Sequence, residues 1–325
     1  MAKIETAGSG KNFLVTGAGS GIGLAITHAL SAQGHRVYAG ARRDADLAML
    51  ATLPLVLPLR LDVGDPAQVA AARACVEADG GLRYGRLHGL VHNAGIGELG
   101  HLIAWSDADL QRLFEANVFG PVRLTRELAP ALLRAKGRVI CIGSQGGSIT
   151  QPLYGPYTMT KHALEAFAAC LRMEMAPFDV SVCIVQPGAV STRIGETAGA
   201  ANVERLQATP APFDVEAQAI LAQWAAPPLP AAADAPESAR QRRPAPPEKV
   251  AAVVVEALLG PPPDARYLVG TRWEGDRVLR TLAQRLVDAA SSPSHAFSRD
   301  EIVALLDEEL AQRRSRLRSG HEPRH

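Results

Sequence analysis

The chain has 325 residues, of which 47% are hydrophobic and 21% are charged, and its formal net charge at pH 7 is +1. This length allows one large domain or two small ones, and the apolar content is ample for a packed core. The near-neutral charge gives no case for nucleic acid or an anionic membrane as the main partner. The sequence contains no run of 18 apolar residues, so we expect no integral membrane segment.

The amino terminus and the cysteines bear on the compartment of the protein. Residues Met1–Lys11 lack the apolar core of a targeting segment. The four cysteines form no Cys-x-x-Cys pair, and Cys141 and Cys183 lie in apolar runs where a buried thiol is expected. We therefore expect a cytoplasmic protein in a reducing compartment, with no bound metal.

Short apolar runs alternate with helical patterns along most of the chain. Strands are predicted at Asn12–Thr16, Arg36–Gly40, Val56–Asp62, Leu87–His92, Arg138–Gly143, Val180–Val185 and Tyr267–Val269. Helices are predicted at 21–32, 66–79, 107–119 running on to 134, 156–176, 248–259 and 275–289. This alternation predicts an α/β, doubly wound fold, with about seven parallel strands in one sheet and helices on both faces.

A glycine-rich loop, Thr16–Gly23, follows the first predicted strand and precedes a helical pattern at Leu24–Leu30. Strand, glycine turn and helix together present bare backbone N–H groups and a helix amino terminus to a phosphate. An ordinary glycine-rich turn is the alternative. The loop lacks the Gly-Lys-Ser/Thr ending of a nucleoside-triphosphate loop.

Tyr157 and Lys161 are four residues apart, and Ser144 precedes the tyrosine by thirteen residues. Positions i and i+4 share a face of a helix, so the phenol and the ammonium can point into one site. A nearby cation favours the phenolate, and we therefore expect the pKa of Tyr157 to be lowered towards working pH. With a serine hydroxyl that can bond a substrate oxygen, these groups indicate alcohol and carbonyl chemistry.

These motifs follow one another in a familiar order. The chain resembles the short-chain dehydrogenases/reductases in Thr16–Gly23, Asn93-Ala94-Gly95, Asn117, Ser144, Tyr157-x-x-x-Lys161 and Pro187-Gly188-x-x-x-Thr192. The resemblance covers about residues 11–195 and is weaker over 248–270. It implies a Rossmann-type fold. The stretch Gly155–Gly188 looks most like the branch that contains hydroxysteroid, retinol and 3-hydroxybutyrate dehydrogenases.

The resemblance implies catalytic roles for four residues. Tyr157 would be the acid/base, and Lys161 would lower its pKa and hold the nicotinamide ribose. Ser144 would orient the substrate oxygen. Asn117 would help to bind a water molecule of a proton relay, and the alternative for it is a mid-helix asparagine that bonds backbone. Gln145 and Tyr154 lie between Ser144 and Tyr157 in the sequence and are predicted, with these two residues, to line the substrate pocket.

The same resemblance implies the cofactor contacts. These are Gly17, Ser20, Gly21, Ile22, Gly23, Arg42, Asp62, Val63, Asn93, Ala94, Gly95, Tyr157, Lys161, Pro187, Gly188, Val190 and Thr192. Asp62 matches a residue that bonds the adenine amino group, and the segment from Pro187 matches one that contacts the nicotinamide carboxamide. Where the family often has Asn-Asn-Ala-Gly, this chain has His92 in the first position.

The end of the second predicted strand bears on the choice of cofactor. NAD-selective proteins usually place an acidic side chain there, but this chain has Ala41 followed by Arg42 and Arg43. A guanidinium is a good partner for a 2′-phosphate. We therefore expect NADP(H), with Arg42 as the first contact, and keep NAD(H) as the alternative. Solvated surface arginines are the other interpretation of this pair.

The carboxyl-terminal third is organised differently. We predict a single dehydrogenase domain over residues 1–290, in which 189–247 form an expanded substrate-lid loop that includes a short helix at Val215–Trp224. Residues 205–247 are rich in proline and alanine and contain no glycine. Residues 291–325 are predicted to be a helical, basic extension that begins with a capped helix at Ser298–Leu310. We favour a solvated tail over an anchor for an acidic partner or a membrane surface.

The motifs together predict an NADP(H)-dependent oxidoreductase that interconverts a secondary alcohol and a ketone or aldehyde. We expect a lipophilic small-molecule substrate, and the resemblance implies a homodimer or homotetramer. A non-catalytic NADP(H)-binding sensor or scaffold is the alternative, although a pure sensor needs no proton donor. The spacing of the glycines at 17, 21 and 23 speaks against a sugar-nucleotide epimerase or dehydratase.

Overall fold

A computed structural model describes residues 10–78, 85–192, 194–225 and 243–319. Seven strands form its main sheet: β1 (Asn12–Val15), β2 (Arg36–Ala41), β3 (Val56–Arg60), β4 (Gly89–His92), β5 (Arg138–Ile142), β6 (Ser181–Pro187) and β7 (Arg266–Val269). Their order is β3-β2-β1-β4-β5-β6-β7, and every neighbouring pair is parallel. The predicted doubly wound sheet is confirmed, and no predicted strand end is displaced by more than two residues.

Helices flank the sheet and continue beyond it. They are α1 (Gly21–Ala32), α2 (Asp44–Leu50), α3 (Pro66–Ala78), α4 (Asp107–Phe114), α5 (Gly120–Ala135), α6 (Gly155–Met175), α7 (Ile194–Gln207), α8 (Asp214–Ala225), α9 (Pro247–Leu259), α10 (Arg272–Ala290) and α11 (Arg299–Ser319). None of the described helices is long and apolar enough to cross a membrane.

The strands are apolar on both faces because helices cover both faces. Along β5, Val139 and Cys141 belong to one core cluster, whereas Ile140 and Ile142 belong to the other. The first cluster includes side chains of α3, α5 and α6, and the second includes side chains of α1 and α9. This alternation explains why each strand reads as a continuous apolar run in the sequence.

Two parts of the predicted helix pattern need correction. The helix α2 was not predicted, and residues 189–247 are not simply a loop, because they contain α7 as well as α8. The sequence of α7 is rich in alanine and glycine and has weak apolar periodicity. The helix is instead held by tertiary contacts: Asn202 accepts a hydrogen bond from the Leu99 N–H, and Arg205 donates to the Leu99 carbonyl. Local pattern carries little information about a helix of this kind.

The long helix predicted from residue 107 to 134 is interrupted. Glu115–Phe119 form a π-helical turn between α4 and α5. Pro121 lacks the N–H that would bond the Asn117 carbonyl, so a regular α-helical ladder cannot continue there. Such turns often occur at functional sites. Here the turn contains Asn117, one of the predicted site residues.

The helices α10 and α11 are joined by a two-stranded ribbon, β8 (Ser291–Ser292) and β9 (His295–Ala296). The predicted cap of α11 is confirmed, since Ser298 and Glu301 exchange backbone and side-chain hydrogen bonds. The helix runs beyond the predicted end at Leu310. A capping box of Thr271 and Glu274 starts α10 three residues earlier than predicted.

Candidate active site

A cleft of about 320 Å³ opens at the carboxyl ends of the strands, where the chain crosses from one half of the sheet to the other between β1 and β4. Ligands of doubly wound proteins bind at this switch point. Its walls are Gly17, Gly19, Ser20, Gly21, Ile22, Ala41, Arg42, Arg43, Asp46, Leu61, Asp62, Val63, Asn93, Ala94, Gly95, Ile96, Ala116, Ile142, Gly143, Ser144, Tyr157, Lys161, Pro187, Gly188, Val190 and Thr192. Sixteen of the seventeen predicted cofactor residues are in this set, and Gly23 is the exception.

The glycine turn is held in place by the loop after β4. Thr16 accepts hydrogen bonds from the N–H groups of Asn93 and Ala94, both at 2.9 Å. The Asn93 side chain donates to the carbonyls of Thr16 and Gly17, at 2.9 and 3.1 Å. The Asn93 amide group therefore positions the turn. Sequence reasoning did not single out Thr16, whose signal is a hydroxyl at the end of a buried strand directly before the first glycine.

The turn and the start of α1 fit the diphosphate of a dinucleotide. Gly17 and Gly21 have φ values of +65° and +53°, which favour glycine. The amino terminus of α1 has no side-chain cap from Ser20 and no acidic residue in its first turn, so its N–H groups are free to meet an anion. Gly23 serves packing instead, because a Cβ there would lie 2.3 Å from the Gly17 carbonyl oxygen.

The end of the cleft beside β2 and β3 is rich in charge. Arg43 is bound by Asp46 through two hydrogen bonds of 2.7 Å. Arg42 forms a longer ion pair, with 3.6 Å between its Nη1 atom and Asp62 Oδ2, and its side chain is 64% exposed. Arg42 is thus the more available of the two arginines for an incoming anion. Asp46 was missed by sequence reasoning because it lies on the unpredicted α2.

Ser144, Tyr157 and Lys161 meet at the opposite end of the cleft. Ser144 lies beside Tyr157, where its hydroxyl offsets part of the rise in the phenol pKa, and its oxygen accepts from the Gly146 N–H at 3.0 Å. The Lys161 ammonium lies 5.7 Å from the centre of the Tyr157 ring. The same ammonium donates to the Ile142 carbonyl of β5 at 3.0 Å. The structure therefore brings the three predicted groups together, on α6 and the loop after β5.

The electrostatics of this cluster differ from the sequence-based expectation. Burial raises the pKa of Tyr157, and the hydrogen bond with Ser144 offsets this only in part. Burial also lowers the pKa of Lys161 to about 8. The expectation that the ammonium lowers the tyrosine pKa is therefore wrong for this structure. The reason is desolvation, which disfavours both charged forms in the same site.

Asn117 is buried and its side chain is engaged with protein groups. Its amide oxygen accepts from the Ile96 N–H at 2.8 Å, and its amide nitrogen donates to the Ile96 carbonyl at 2.9 Å and to Thr160 at 3.0 Å. It thereby links the loop after β4 to α6, one residue before Lys161. This is the backbone-bonding alternative that the sequence left open, and a part in a proton relay stays a prediction.

The two remaining predicted substrate residues do not line the cleft. Gln145 is buried, its amide nitrogen has no hydrogen-bond partner among the described residues, and a Cβ at Gly270 would lie 2.9 Å from that nitrogen. Tyr154 occupies the position before the first residue of α6, without a side-chain cap, and its ring centre lies 6.4 Å from that of Tyr157. Tyr154 therefore borders the reactive tyrosine, and its contact with substrate stays a prediction.

The fold and the cleft place the chain in the class of Rossmann-type dinucleotide-binding proteins. Residues 11–202 match the family model described as short chain dehydrogenase. Since this match covers more than half of the sequence, the chain belongs to the short-chain dehydrogenase family, as the resemblance predicted.

Individual relatives match a little more than half of the chain. The mitochondrial D-beta-hydroxybutyrate dehydrogenase of Rattus norvegicus is 38% identical over 190 residues, which are 56% of this chain and 55% of that protein. The NADPH-dependent 1-acyldihydroxyacetone phosphate reductase of Saccharomyces cerevisiae is 34% identical over 186 residues, which are 56% of this chain and 62% of that protein. The chain thus spans little more than half the length of these curated relatives.

Solved structures agree over a larger part of the chain. A short-chain dehydrogenase from Streptomyces avermitilis has a TM-score of 0.67 and 30% identity, covering 88% of this chain and 97% of its own. A family member from Burkholderia phymatum in complex with NAD has a TM-score of 0.67 and 25% identity, covering 89% and 98%.

Proposed function

We propose that this protein is an NADP(H)-dependent reductase that converts a ketone or aldehyde of an apolar small molecule to the alcohol, with Tyr157 as the proton donor. The observation that carries the proposal is the cluster of Ser144, Tyr157 and Lys161 at one end of a cleft whose other end is a glycine turn. Hydride chemistry would be supplied by the bound nicotinamide. The protein supplies orientation and the proton.

Proton transfer follows from the state of Tyr157. A tyrosine whose pKa is raised by burial is protonated at neutral pH, so it acts as the acid towards a carbonyl oxygen. Ser144, which lies beside the same phenol, is placed to hold that oxygen. The Lys161 ammonium, fixed by the Ile142 carbonyl, would stabilise the negative charge that develops on the phenol. These roles favour reduction.

The preference for NADPH rests on Arg42. Its guanidinium lines the cleft beyond the end of β2 and, among the described residues, is held only by a long, exposed ion pair with Asp62. A 2′-phosphate offers stronger charge-assisted hydrogen bonds than this pair. The NADPH-dependent yeast relative is consistent with this assignment, and the NAD complex of the Burkholderia protein keeps NADH as the alternative.

The surface around the proposed substrate entrance is apolar. Leu102, which is 58% exposed, lies beside Gly155 at the start of α6, two residues before Tyr157. Ile103 and Phe213 are also exposed, and Phe213 packs on His101. Arg205, a buried cation of α7, is paired with the buried Glu98. An uncharged, lipophilic substrate fits these contacts.

Two wider assignments accompany this function. We propose that residues 1–290 form one catalytic domain and that residues 291–325 extend it. We also propose that the protein assembles as a homodimer or homotetramer and acts in the cytoplasm. Molar-mass measurement by light scattering tests the proposed oligomer, and a monomer would contradict it.

Oxidation of NADPH by a panel of carbonyl compounds tests the function. The panel pairs neutral apolar ketones with short keto acids of similar size. We expect kcat/KM to be at least about tenfold higher for the apolar ketones, because a buried charge without a partner is unfavourable. A preference for keto acids would contradict the substrate class. Cofactor binding without oxidation by any carbonyl compound would instead support the sensor or scaffold function.

A further inference from the structure

The segment Pro187–Thr192 follows β6 and contributes Pro187, Gly188, Val190 and Thr192 to the rim of the cleft. Four hydrogen bonds tie its backbone to later parts of the chain. They join Gly188 N to Val269 O (2.7 Å), Ala189 N to Glu274 Oε1 (2.7 Å), Ala245 N to Ala189 O (2.8 Å) and Ser191 N to Ala245 O (2.9 Å). All the partners lie after residue 202, outside the segment that matches the family.

Glu274 is the only side chain among these partners, and it is 8% exposed. Its Oε2 atom accepts from the Thr271 N–H at 2.7 Å and from the Thr271 hydroxyl at 3.1 Å, which completes the capping box of α10. Its Oε1 atom accepts from the Ala189 N–H, 85 residues away. Capping α10 uses only Oε2, so the bond from the Ala189 N–H to Oε1 serves the rim.

Two glycines make room for this carboxylate. A Cβ on Gly188 would lie 2.3 Å from Glu274 Oε1, and a Cβ on Gly270 would lie 2.5 Å from Oε2. Neither glycine has a positive φ. The close approach of the carboxylate therefore accounts for glycine at both positions. Rim, strand end and helix start are packed around one buried acidic group.

We propose that Glu274 is a positioning residue that fixes the rim Pro187–Thr192 in the geometry needed to hold the nicotinamide end of the cofactor. This inference rests on the proposed function, because it assumes that the cleft binds a nicotinamide dinucleotide. Ala189 itself is exposed, so without the buried carboxylate its N–H would bond water instead and the rim backbone would lose its fixed partner. The rim would then be ordered only at the moment of binding, which weakens affinity.

The test separates positioning from helix capping. Glu274→Gln retains the size of the side chain, but its amide nitrogen would face the N–H of either Ala189 or Thr271. An amide nitrogen cannot accept a hydrogen bond from such a donor. Glu274→Asp keeps the charge and a capping group, but it is too short to reach Ala189. Thr271→Ala is the matched control, because it removes the threonine hydroxyl from the same capping box and leaves the Ala189 bond. The dissociation constant of NADPH is measured by fluorescence, together with hydrogen exchange of the peptide that covers residues 187–192.

We expect both Glu274 variants to raise the NADPH dissociation constant about tenfold, which is the effect of losing one well-placed hydrogen bond. Hydrogen exchange at 187–192 becomes faster in the same two variants. Thr271→Ala leaves both quantities within about twofold of the wild type. Equal effects of Thr271→Ala and the Glu274 variants would show that Glu274 only caps a helix, and would overturn the inference. A wild-type protein that binds neither NADPH nor NADH would overturn the proposed function, and this inference with it.

Discussion

Two regions of the molecule are stabilised by different chemistry. The glycine turn is held by neutral groups, mainly the hydroxyl of Thr16 and the amide of Asn93, which bond backbone within the family-matched segment. The rim after β6 and the helix α7 depend instead on buried carboxylates. Glu274 holds the rim, and Glu98 holds α7 through Arg205, which lies beyond that segment. The first region is recognisable from a motif, whereas the second is visible only in three dimensions.

This difference predicts where the molecule is vulnerable. A neutral hydrogen bond contributes modestly to stability, and its loss leaves no charge behind. Loss of one member of a buried ion pair leaves the other member uncompensated, which is far more costly. Substitutions of Glu98 or Glu274 should therefore affect folding and the position of α7 or of the rim. Substitution of Arg42 at the mouth of the cleft should affect cofactor binding alone.

The largest effect is expected at Glu98. Although burial would raise its pKa, hydrogen bonds from Arg112 and Arg205 hold the pKa of Glu98 below its usual range. Glu98→Ala should lower the free energy of unfolding by about 3 kcal/mol, because Arg205 stays buried over Trp105 with less compensation. Urea unfolding measures this quantity.

Arg112→Ala is the control for that substitution. Arg112 binds the same carboxylate, but its side chain is 43% exposed. We expect a loss of less than about 1 kcal/mol, because exposed pairs contribute little. Similar losses for Glu98→Ala and Arg112→Ala would contradict the special importance of the buried pair.

The next effect concerns Arg42 and the choice of cofactor. Arg42→Ala should raise the dissociation constant of NADPH by roughly 10- to 100-fold and that of NADH by less than about twofold, because only NADPH carries the 2′-phosphate. Arg43→Ala is the matched control, since the Arg43 guanidinium is bound to Asp46. Fluorescence titration with both cofactors measures the constants. Equal weakening of NADPH and NADH by Arg42→Ala would remove Arg42 as the reader of the phosphate.

A pH effect follows from Lys161. Burial lowers its pKa to about 8, so its ammonium is present below pH 8 and is lost as the pH rises through that value. Ketone reduction needs this charge to stabilise the developing phenolate. We therefore expect kcat/KM to fall by up to about tenfold per pH unit above pH 8. A profile that stays level to pH 9.5 would show that the charge of Lys161 does not limit the reaction.

The smallest effect is expected in the carboxyl-terminal extension. Arg313 of α11 pairs with Asp264, and their side chains are 62% and 43% exposed. Arg313→Ala should change the free energy of unfolding by less than about 0.5 kcal/mol and leave the NADPH dissociation constant unchanged. A loss above about 1 kcal/mol in urea unfolding would mean that α11 is an integral part of the domain.

The sheet was predictable because its strands are buried on both faces and are separated by amphipathic helices. Seven apolar runs gave seven strands, and the motifs at their ends indicated the cleft. The helix α7 was not predictable, because its formation depends on contacts of Asn202 and Arg205 with the distant Leu99. Its own residues have no strong periodicity. Tertiary contacts outweighed local pattern there.

The site was predictable in its members but not in its electrostatics. Spacing places Tyr157 and Lys161 on one face of α6, yet it does not show where the ammonium points. The structure directs it to the Ile142 carbonyl, which belongs to a different element. Desolvation then decides the direction of both pKa shifts. The bond between Glu274 and Ala189 had no signal in the sequence, because Ala189 contributes a backbone group 85 residues away.

The central claim is that Tyr157 donates the proton during carbonyl reduction, and the most direct measurement compares Tyr157→Phe with Tyr154→Phe. The neighbouring ring of Tyr154 lies 6.4 Å away, centre to centre, so its substitution controls for the loss of a phenol near the site. We expect Tyr157→Phe to lower kcat by about 10³-fold with the NADPH dissociation constant within about twofold of the wild type, and Tyr154→Phe to lower kcat by less than about tenfold. Undiminished turnover by Tyr157→Phe would contradict the claim.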